Sequence, residues 1–345
     1  MSRILIIVSI TAVFLFAGCS SSKRVYNSAP ENKTGEPMIN PGIIPGDSMI
    51  QNVDVWVIEK GLKGEAGVFS GKEIIPISSL KINMTIFDLF SKVYVSLKFQ
   101  PPKDKNDLEF RYPQIHGMLV ESFIVLVNDR KFRAVIAEKE SAEEIYQLAR
   151  NEGLTAVKVS QKAFGEMVVS LSLKSHQQVS VNFDYTQLSS VMGDSRVVAL
   201  PEFKGIENAV CEMRVLGRFS SEYEGFSGLG ENQSEKNFNV VVKDKKLLEK
   251  GILITYKTKE PVAMVSPDGE EFYWDSDKKT YDISRGLKGV KKIKVKDELI
   301  RQALSYVKFR NAMLKGAPYK EAQNMAIEAN LLTPITKLLL VDSVK

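Results

Sequence analysis

Between Leu80 and Tyr185 the chain repeats one pattern, an alternation of apolar and polar residues in short runs bounded by Pro, Asn and Asp. Leu80, Ile82, Met84 and Ile86 alternate with polar neighbours, as do Val93, Val95, Leu97 and Phe99, and Pro101-Pro102 closes the second run. A period of two sends every second side chain to one face, so each run predicts a strand with one buried side. Leu108 to Tyr112, before Pro113, is another short strand. Phe123, Val125 and Val127 lead into Asn128-Asp129, and Phe132, Ala134 and Ile136 lead out, which predicts a hairpin around that turn pair. Val157 to Ser160, Met167 to Leu173 and Gln178 to Tyr185 repeat the pattern. Short alternating strands at regular spacing imply a mainly β (α+β) fold, an antiparallel β-sandwich-like domain with one inserted helix.

That helix lies in Glu138 to Ala156, EKESAEEIYQLARNEGLTA. Ser141 and Glu144 have the spacing of a capping box, which sets the helix start at Ser141 and its body at Ser141 to Glu152. Ala142, Ile145, Leu148 and Ala149 fall at helical spacing and predict the buried stripe. Gly153 is placed to leave the helix in a left-handed conformation, with Leu154 folding back on Leu148 or Ala149. Glu143, Glu144, Gln147 and Arg150 fall on the outer side, either as a solvated face or as a face for a partner.

The same stretch resembles the signature of the VIT (vault protein inter-alpha-trypsin) domain, written here by Glu138, Lys139, Ala142, Tyr146, Ala149, Gly153 and Ala156. The resemblance extends over roughly Leu80 to Pro201. Its other pieces are Phe99 with Pro101, Leu108-Glu109 with Phe110 and Tyr112-Pro113, then Phe164, and the closing Val179, Val181, Phe183 and Tyr185. It implies a β-sandwich-like domain with one helix. In many bacterial relatives a von Willebrand type A domain follows, with a metal site opened by Asp-x-Ser-x-Ser. That motif does not occur in this chain. The tail Asn324 to Asp342 nevertheless resembles the segment that follows an A domain, with Ala326, Ala329, Leu331 to Thr336 and a strand-like Leu338 to Val341. The resemblance therefore implies a relative of VIT and A-domain proteins that lacks the A domain.

Residues 1–22, MSRILIIVSITAVFLFAGCSSS, place Arg3 before an apolar run from Ile4 to Phe16 that is short for a membrane span and reads as a signal-peptide core. Ala17-Gly18-Cys19 resembles the bacterial lipoprotein cleavage box, with Phe16 standing where Leu is usual. Cys19 would then carry the lipid, with palmitate or another second acyl chain making the anchor stable. From Ser20 to Gln51 the chain is rich in Ser, Asn, Pro and Gly, the composition of a flexible tether.

Beyond Pro201, Val210 to Leu216, Phe238 to Val242, Ile252 to Tyr256, Val262 to Val265 and Glu270 to Trp274 read as strands, with Ser220 to Asn237 as a loop. Residues 297–315 and 319–330 read as two helices, with stripes at Leu299, Ala303 and Val307 and at Ala322, Met325, Ala326 and Ala329, separated by Gly316 and Pro318. Lys288, Lys291, Lys292, Lys294 and Lys296 alternate with Val290, Ile293 and Val295, the pattern of a strand edge blunted by lysine, or of a patch against anionic lipid. Asp268, Glu270, Glu271, Asp275 and Asp277 crowd one turn region without the spacing of a calcium loop.

A formal charge of +5 over 345 residues is too mild to indicate nucleic-acid binding. Two cysteines and two histidines, His116 and His176, provide neither a disulfide framework nor a metal spacing, and Cys211 reads as a buried structural thiol. Gly225, Gly228 and Gly230 do not open a helix, so they lack the context of a phosphate loop. The organisation expected is a lipoprotein signal peptide (1–18), a tether (19–51), a VIT-like β domain (52–201, core 80–201), a second β segment (202–285) and a helical C-terminus with a terminal strand (286–345). The function expected is a lipid-anchored bacterial envelope protein at the outer membrane, with a non-catalytic interaction or structural module. No enzyme chemistry, cofactor, metal or nucleic acid is expected; the partners are the membrane and another envelope protein. The alternative is an envelope hydrolase with a site assembled from distant residues.

Overall fold

In the computed structural model, residues 65–341 are described apart from 88, 114–117, 163–165, 174–176, 193–194, 217–222, 228–236, 243–244, 259–261 and 279. Cys19, the signal and tether, His116, Phe164, His176, Gly228 and Gly230 lie outside the described residues. The first stretch comprises β1 (Glu65–Ser70), β2 (Glu73–Ile75), β3 (Ile77–Ile86), β4 (Phe90–Phe99), β5 (Asp107–Pro113), β6 (Met118–Val127), β7 (Arg130–Arg133) and β8 (Val135–Glu138). Helix α1 (Lys139–Asn151) follows, then β9 (Ala156–Lys162), β10 (Glu166–Ser172), β11 (Val179–Leu188), β12 (Ser190–Met192), β13 (Ser195–Leu200) and β14 (Glu202–Phe203). Next come β15 (Ala209–Leu216), β16 (Tyr223–Ser227), β17 (Asn237–Val242), α2 (Lys245–Glu249) and β18 (Ile252–Thr258). The chain ends through β19 (Val262–Val265), β20 (Glu271–Asp275), β21 (Thr280–Ser284), β22 (Lys291–Lys294), α3 (Asp297–Leu314), α4 (Tyr319–Glu328) and β23 (Thr336–Val341).

The fold is mainly β, as the alternation requires. One sheet runs β17-β15-β3-β4-β11-β6-β7 and another runs β14-β1-β5-β10-β9-β23-β8, with β2 paired to β1. The alternating residues Leu80, Ile82, Met84, Val93, Val95, Leu97, Val179, Val181 and Phe183 all face one core, shared with Phe110, Tyr112, Val157 and Val159 of the other sheet. The Phe183 ring lies 5.1 Å from Tyr112 and 5.6 Å from Phe123, and the Tyr112 and Tyr185 hydroxyls meet at 2.7 Å. The sheets thus touch through aromatic residues of β5 and β11.

Asn128 (φ 47) and Asp129 (φ 65) are both left-handed, the backbone of a two-residue hairpin whose twist matches its strands. The chain then changes sheet at Ala134: β7 ends the seven-stranded sheet, while β8 pairs with β23 in the other. Strand β23 is antiparallel to both β8 and β9. Strands β8 and β9 are therefore parallel to each other, joined by α1, with the C-terminal strand occupying the gap between them. Strands from the 202–285 stretch also enter the large sheets: β14 pairs with β1, and β15 runs parallel to β3.

A second core joins Phe87, Leu89, Phe90 and Leu188 to Met264, Phe272 and Tyr281, and to Ile300, Ala303, Leu304 and Val307 of α3. The sheet β21-β20-β19-β22 contributes to it. On α3, the expected Ala303 and Val307 are buried, and Ile300 and Leu304 complete the stripe where Leu299 is only partly buried. On α4, Ala322 and Ala326 are buried together with Gln323, whose amide donates to the Ile335 carbonyl at 3.3 Å.

Candidate functional site: the surface around helix α1

Two expectations about α1 are corrected by the structure. The helix begins at Lys139, and its N-cap is Glu138 with no side-chain capping bond, so Ser141 and Glu144 do not form a capping box. The reason is covalent: the helix starts directly from the end of β8, and Ser141 is already inside its first turn. The buried face is Ala142, Tyr146 and Ala149, while Ile145 and Leu148 are 43% and 62% exposed. The large Tyr146 ring takes the position facing the sheet, and flanking alanines let the backbone approach it. The C-terminus matches expectation. Gly153 has φ +67, its N–H donates to the Arg150 carbonyl, and the Leu154 N–H donates to the Ala149 carbonyl at 2.9 Å, the two bonds of a Schellman end.

Alternation along β23 divides its side chains between two environments. Leu338 and Leu340 enter the inter-sheet core, whereas Leu339 packs beneath α1 with Tyr146, Ala149, Leu154 and Ala156. Lys337 shares the helix side with Leu339 and pairs with Glu143. Glu143 also binds Lys158 of β9 at 2.9 Å and accepts from Gln147 at 3.1 Å. Burial pushes the Glu143 carboxyl up, but the hydrogen bonds from Lys337, Lys158 and Gln147 outweigh it and bring its pKa down to about 2. The Lys158 ammonium stands 4.5 Å from the centre of the Tyr146 ring, a cation–π distance. Burial, reinforced by the Asp107 charge, pushes the Tyr146 phenol up to about 12. Arg150 makes a two-pronged bond to Asp107, at 2.7 and 3.2 Å.

Of the four outer residues read from the sequence, Glu143, Gln147 and Arg150 are therefore engaged within the chain, on the flank facing β9 and β5. The other flank faces β8. There Val135 is 67% exposed. Its register partner is Leu339, so Val135 emerges on the helix-bearing face, on the side of Ile145 and Leu148. This apolar flank escaped sequence reading because the periodic stripe assigned Ile145 and Leu148 to the interior. The signal available was the small-Tyr-small spacing of Ala142, Tyr146 and Ala149, which defines an equally good helical face.

Edge strands sharpen the contrast. Strand β7 is Arg-Lys-Phe-Arg and β22 is Lys-Lys-Ile-Lys, each at a sheet edge as the lysine alternation predicts for β22. Strand β8, also at an edge, is Val-Ile-Ala-Glu, with Glu138 held by Lys320. Only the first two carry the basic residues that blunt an edge. Four of the carboxylates around the 268–277 turn have partners of their own: Ser266 for Asp268, Lys308 at 2.7 Å for Glu270, Lys292 at 2.7 Å for Glu271, and Lys278 at 3.2 Å for Asp275. Among the described residues, no group of three His, Cys, Asp or Glu side chains is arranged to hold a metal ion, and no helix is long and apolar enough to cross a membrane.

The family model of the Vault protein inter-alpha-trypsin domain matches residues 77–185. A VIT domain is thus detected there. The match ends at Tyr185, short of the Pro201 expected from sequence. Inter-alpha-trypsin inhibitor heavy chain H6 of Homo sapiens is 25% identical over 130 residues, covering 35% of this chain. The chain spans about a tenth of the length of that curated relative. A solved structure, that of native yeast LTA4 hydrolase, aligns with a TM-score of 0.31 and 10% identity, over 56% of this chain and 31% of that one. At that score the likeness implies neither a shared fold nor a shared activity. The VIT domain defined by the match does not close its own sheet: β1, β14 and β23, all outside 77–185, are strands of it.

Proposed function

We propose that this is a lipid-anchored protein of the bacterial cell envelope, held at the outer membrane through Cys19, whose VIT domain is a non-catalytic docking module for another envelope protein. In this reading the two large sheets form a β-sandwich that serves as a rigid scaffold, and residues 19–51 are the tether. The observation that carries the docking role is the exposed apolar flank of Val135, Ile145 and Leu148 beside an edge strand without basic residues. Single exposed apolar residues are ordinary on a protein surface; three on one flank of a helix and its neighbouring edge form a surface that a partner can cover.

A photo-crosslinking residue at position 148 of the full chain, expressed in its native cells, is expected to give one discrete adduct that Ile145→Glu abolishes. The same group at Lys98, an exposed position on the other large sheet, is expected to give none. Equal labelling from both positions, or none from either, overturns the docking role. The anchor is tested separately: Cys19→Ser is expected to release the protein from membranes and to end incorporation of labelled palmitate.

A further inference from the structure

We propose that the outer face of the seven-stranded sheet, from β3 to β7, lies against an anionic lipid bilayer and meets its phosphate headgroups through Lys81, Lys98, Lys131 and Arg133. Residues that alternate with the core residues of these strands point away from the eight-stranded sheet, and the register sets them in rows. Lys98, Ser180, Leu126 and Lys131 form one row, and Lys81, Ser96, Asn182, Ile124 and Arg133 form the next. Asn83, Tyr94, Asp184 and Ser122 form a third. The four cations all stand in the first two rows, and all four are exposed. Among the described residues none of them has a carboxylate within ion-pair distance. Asp184, in the third row, accepts from Ser122, and Glu121 beside it is taken by Lys92. Blunting of an edge accounts for basic residues on β7. It does not account for Lys81 and Lys98, because β3 and β4 lie inside the sheet.

Apolar side chains stand among the cations: Ile124 and Leu126 are half-buried, as is Tyr94 in the third row. Cations interleaved with aliphatic groups and a tyrosine match the boundary of an anionic bilayer, which attracts the charges to its headgroups and takes the apolar groups just below them. The five strands from β3 to β7 span about 20 Å, a breadth suited to a surface rather than to a single small ion. A soluble polyanion satisfies the charges but leaves Ile124 and Leu126 in water; the choice of a bilayer rests on them and on the anchoring reading of Cys19. Helix α1 lies on the outer face of the other sheet, so a chain seated this way turns Val135, Ile145 and Leu148 away from the membrane and toward a partner. A crosslinking group at Lys98 then meets lipid and gives no discrete protein adduct.

Co-sedimentation of the unlipidated full chain, Cys19→Ser, with vesicles of phosphatidylglycerol or of phosphatidylcholine tests the proposal. Residues 1–64 carry the same sequence in every chain compared, so differences between variants read the face. Binding to phosphatidylglycerol is expected to exceed binding to phosphatidylcholine and to fall as salt is added. Lys98→Gln and Lys131→Gln are each expected to lower the phosphatidylglycerol partition coefficient about fivefold, and about 25-fold together, with Tm unchanged. Lys288→Gln combined with Lys294→Gln, on the other lysine-rich stretch, is expected to leave it unchanged. No preference for phosphatidylglycerol, binding that survives the loss of Lys98 and Lys131, or a loss seen only in the 288 and 294 variant overturns the proposal. Binding to dextran sulfate without binding to phosphatidylglycerol vesicles overturns it as well, in favour of a soluble polyanion. Four cations at about fivefold each bind more weakly than one acyl chain, so Cys19→Ser is still expected to leave native membranes, and the face and the anchor fail separately.

Discussion

The inter-sheet core and the seam beneath α1 are built from the same eight-stranded sheet, on its two faces, and they are held by different means. In the core, Phe110, Tyr112, Phe123, Phe183 and Tyr185 fill the space between β5, β6 and β11 through aromatic contacts. In the seam, small residues bring α1 close to β9 and β23, and a carboxylate shared by two lysines joins three elements. The first is a matter of volume and tolerates no loss of it. The second is a matter of close approach and charge, and it fails in the opposite direction, through added bulk or a lost proton balance.

The largest effect is expected where volume dominates. Phe183→Ala empties a fully buried site touched by four other rings and should cost about 3–5 kcal/mol. Chemical denaturation with an unchanged m-value would read this directly. A cost below about 1 kcal/mol would mean that the two sheets do not depend on this contact. In the seam the sign of the size dependence reverses. Ala149→Leu adds volume where Ala149 packs against Ala156 and Leu339, and should destabilise by about 1–3 kcal/mol through overpacking. Stabilisation by the larger side chain would show that the seam has room to spare and that the alanines are not there to let the helix approach.

The two regions were also unequally legible. The period of two in β3, β4 and β11 identifies which residues enter the core, because pleat alternation is local and one buried face enforces it. The Asn128-Asp129 turn and the Gly153 helix end were equally readable, since each depends on the conformational range of one or two residues. The seam was not. A helical wheel offers Ala142 and Ala149 with either Ile145 and Leu148 or Tyr146, and the position of β23 decides between them. That strand comes from residues 336–341, and nothing near α1 announces that the C-terminal run will lie between β8 and β9. Glu143 likewise reads as a solvated helix residue until Lys158 and Lys337 arrive from elsewhere in the chain.

The smallest effect tests the charge in the seam, and pH supplies its control. The Glu143 carboxyl is held at about 2 in the folded chain against an ordinary 4.5. A carboxyl with a depressed folded pKa binds fewer protons folded than unfolded, so its contribution is fully present above about pH 4.5 and is lost as pH falls through about 2. The side chain is 39% exposed, and solvent screening keeps the contribution to about 1 kcal/mol or less. Glu143→Gln should therefore lower stability by that amount at pH 7, with the difference from wild type shrinking between pH 4.5 and pH 2 and vanishing below. Denaturant midpoints of the two proteins compared across that range measure it. A difference that persists undiminished at pH 2 would mean that Glu143 acts through packing, and the seam would then obey the same rule as the core.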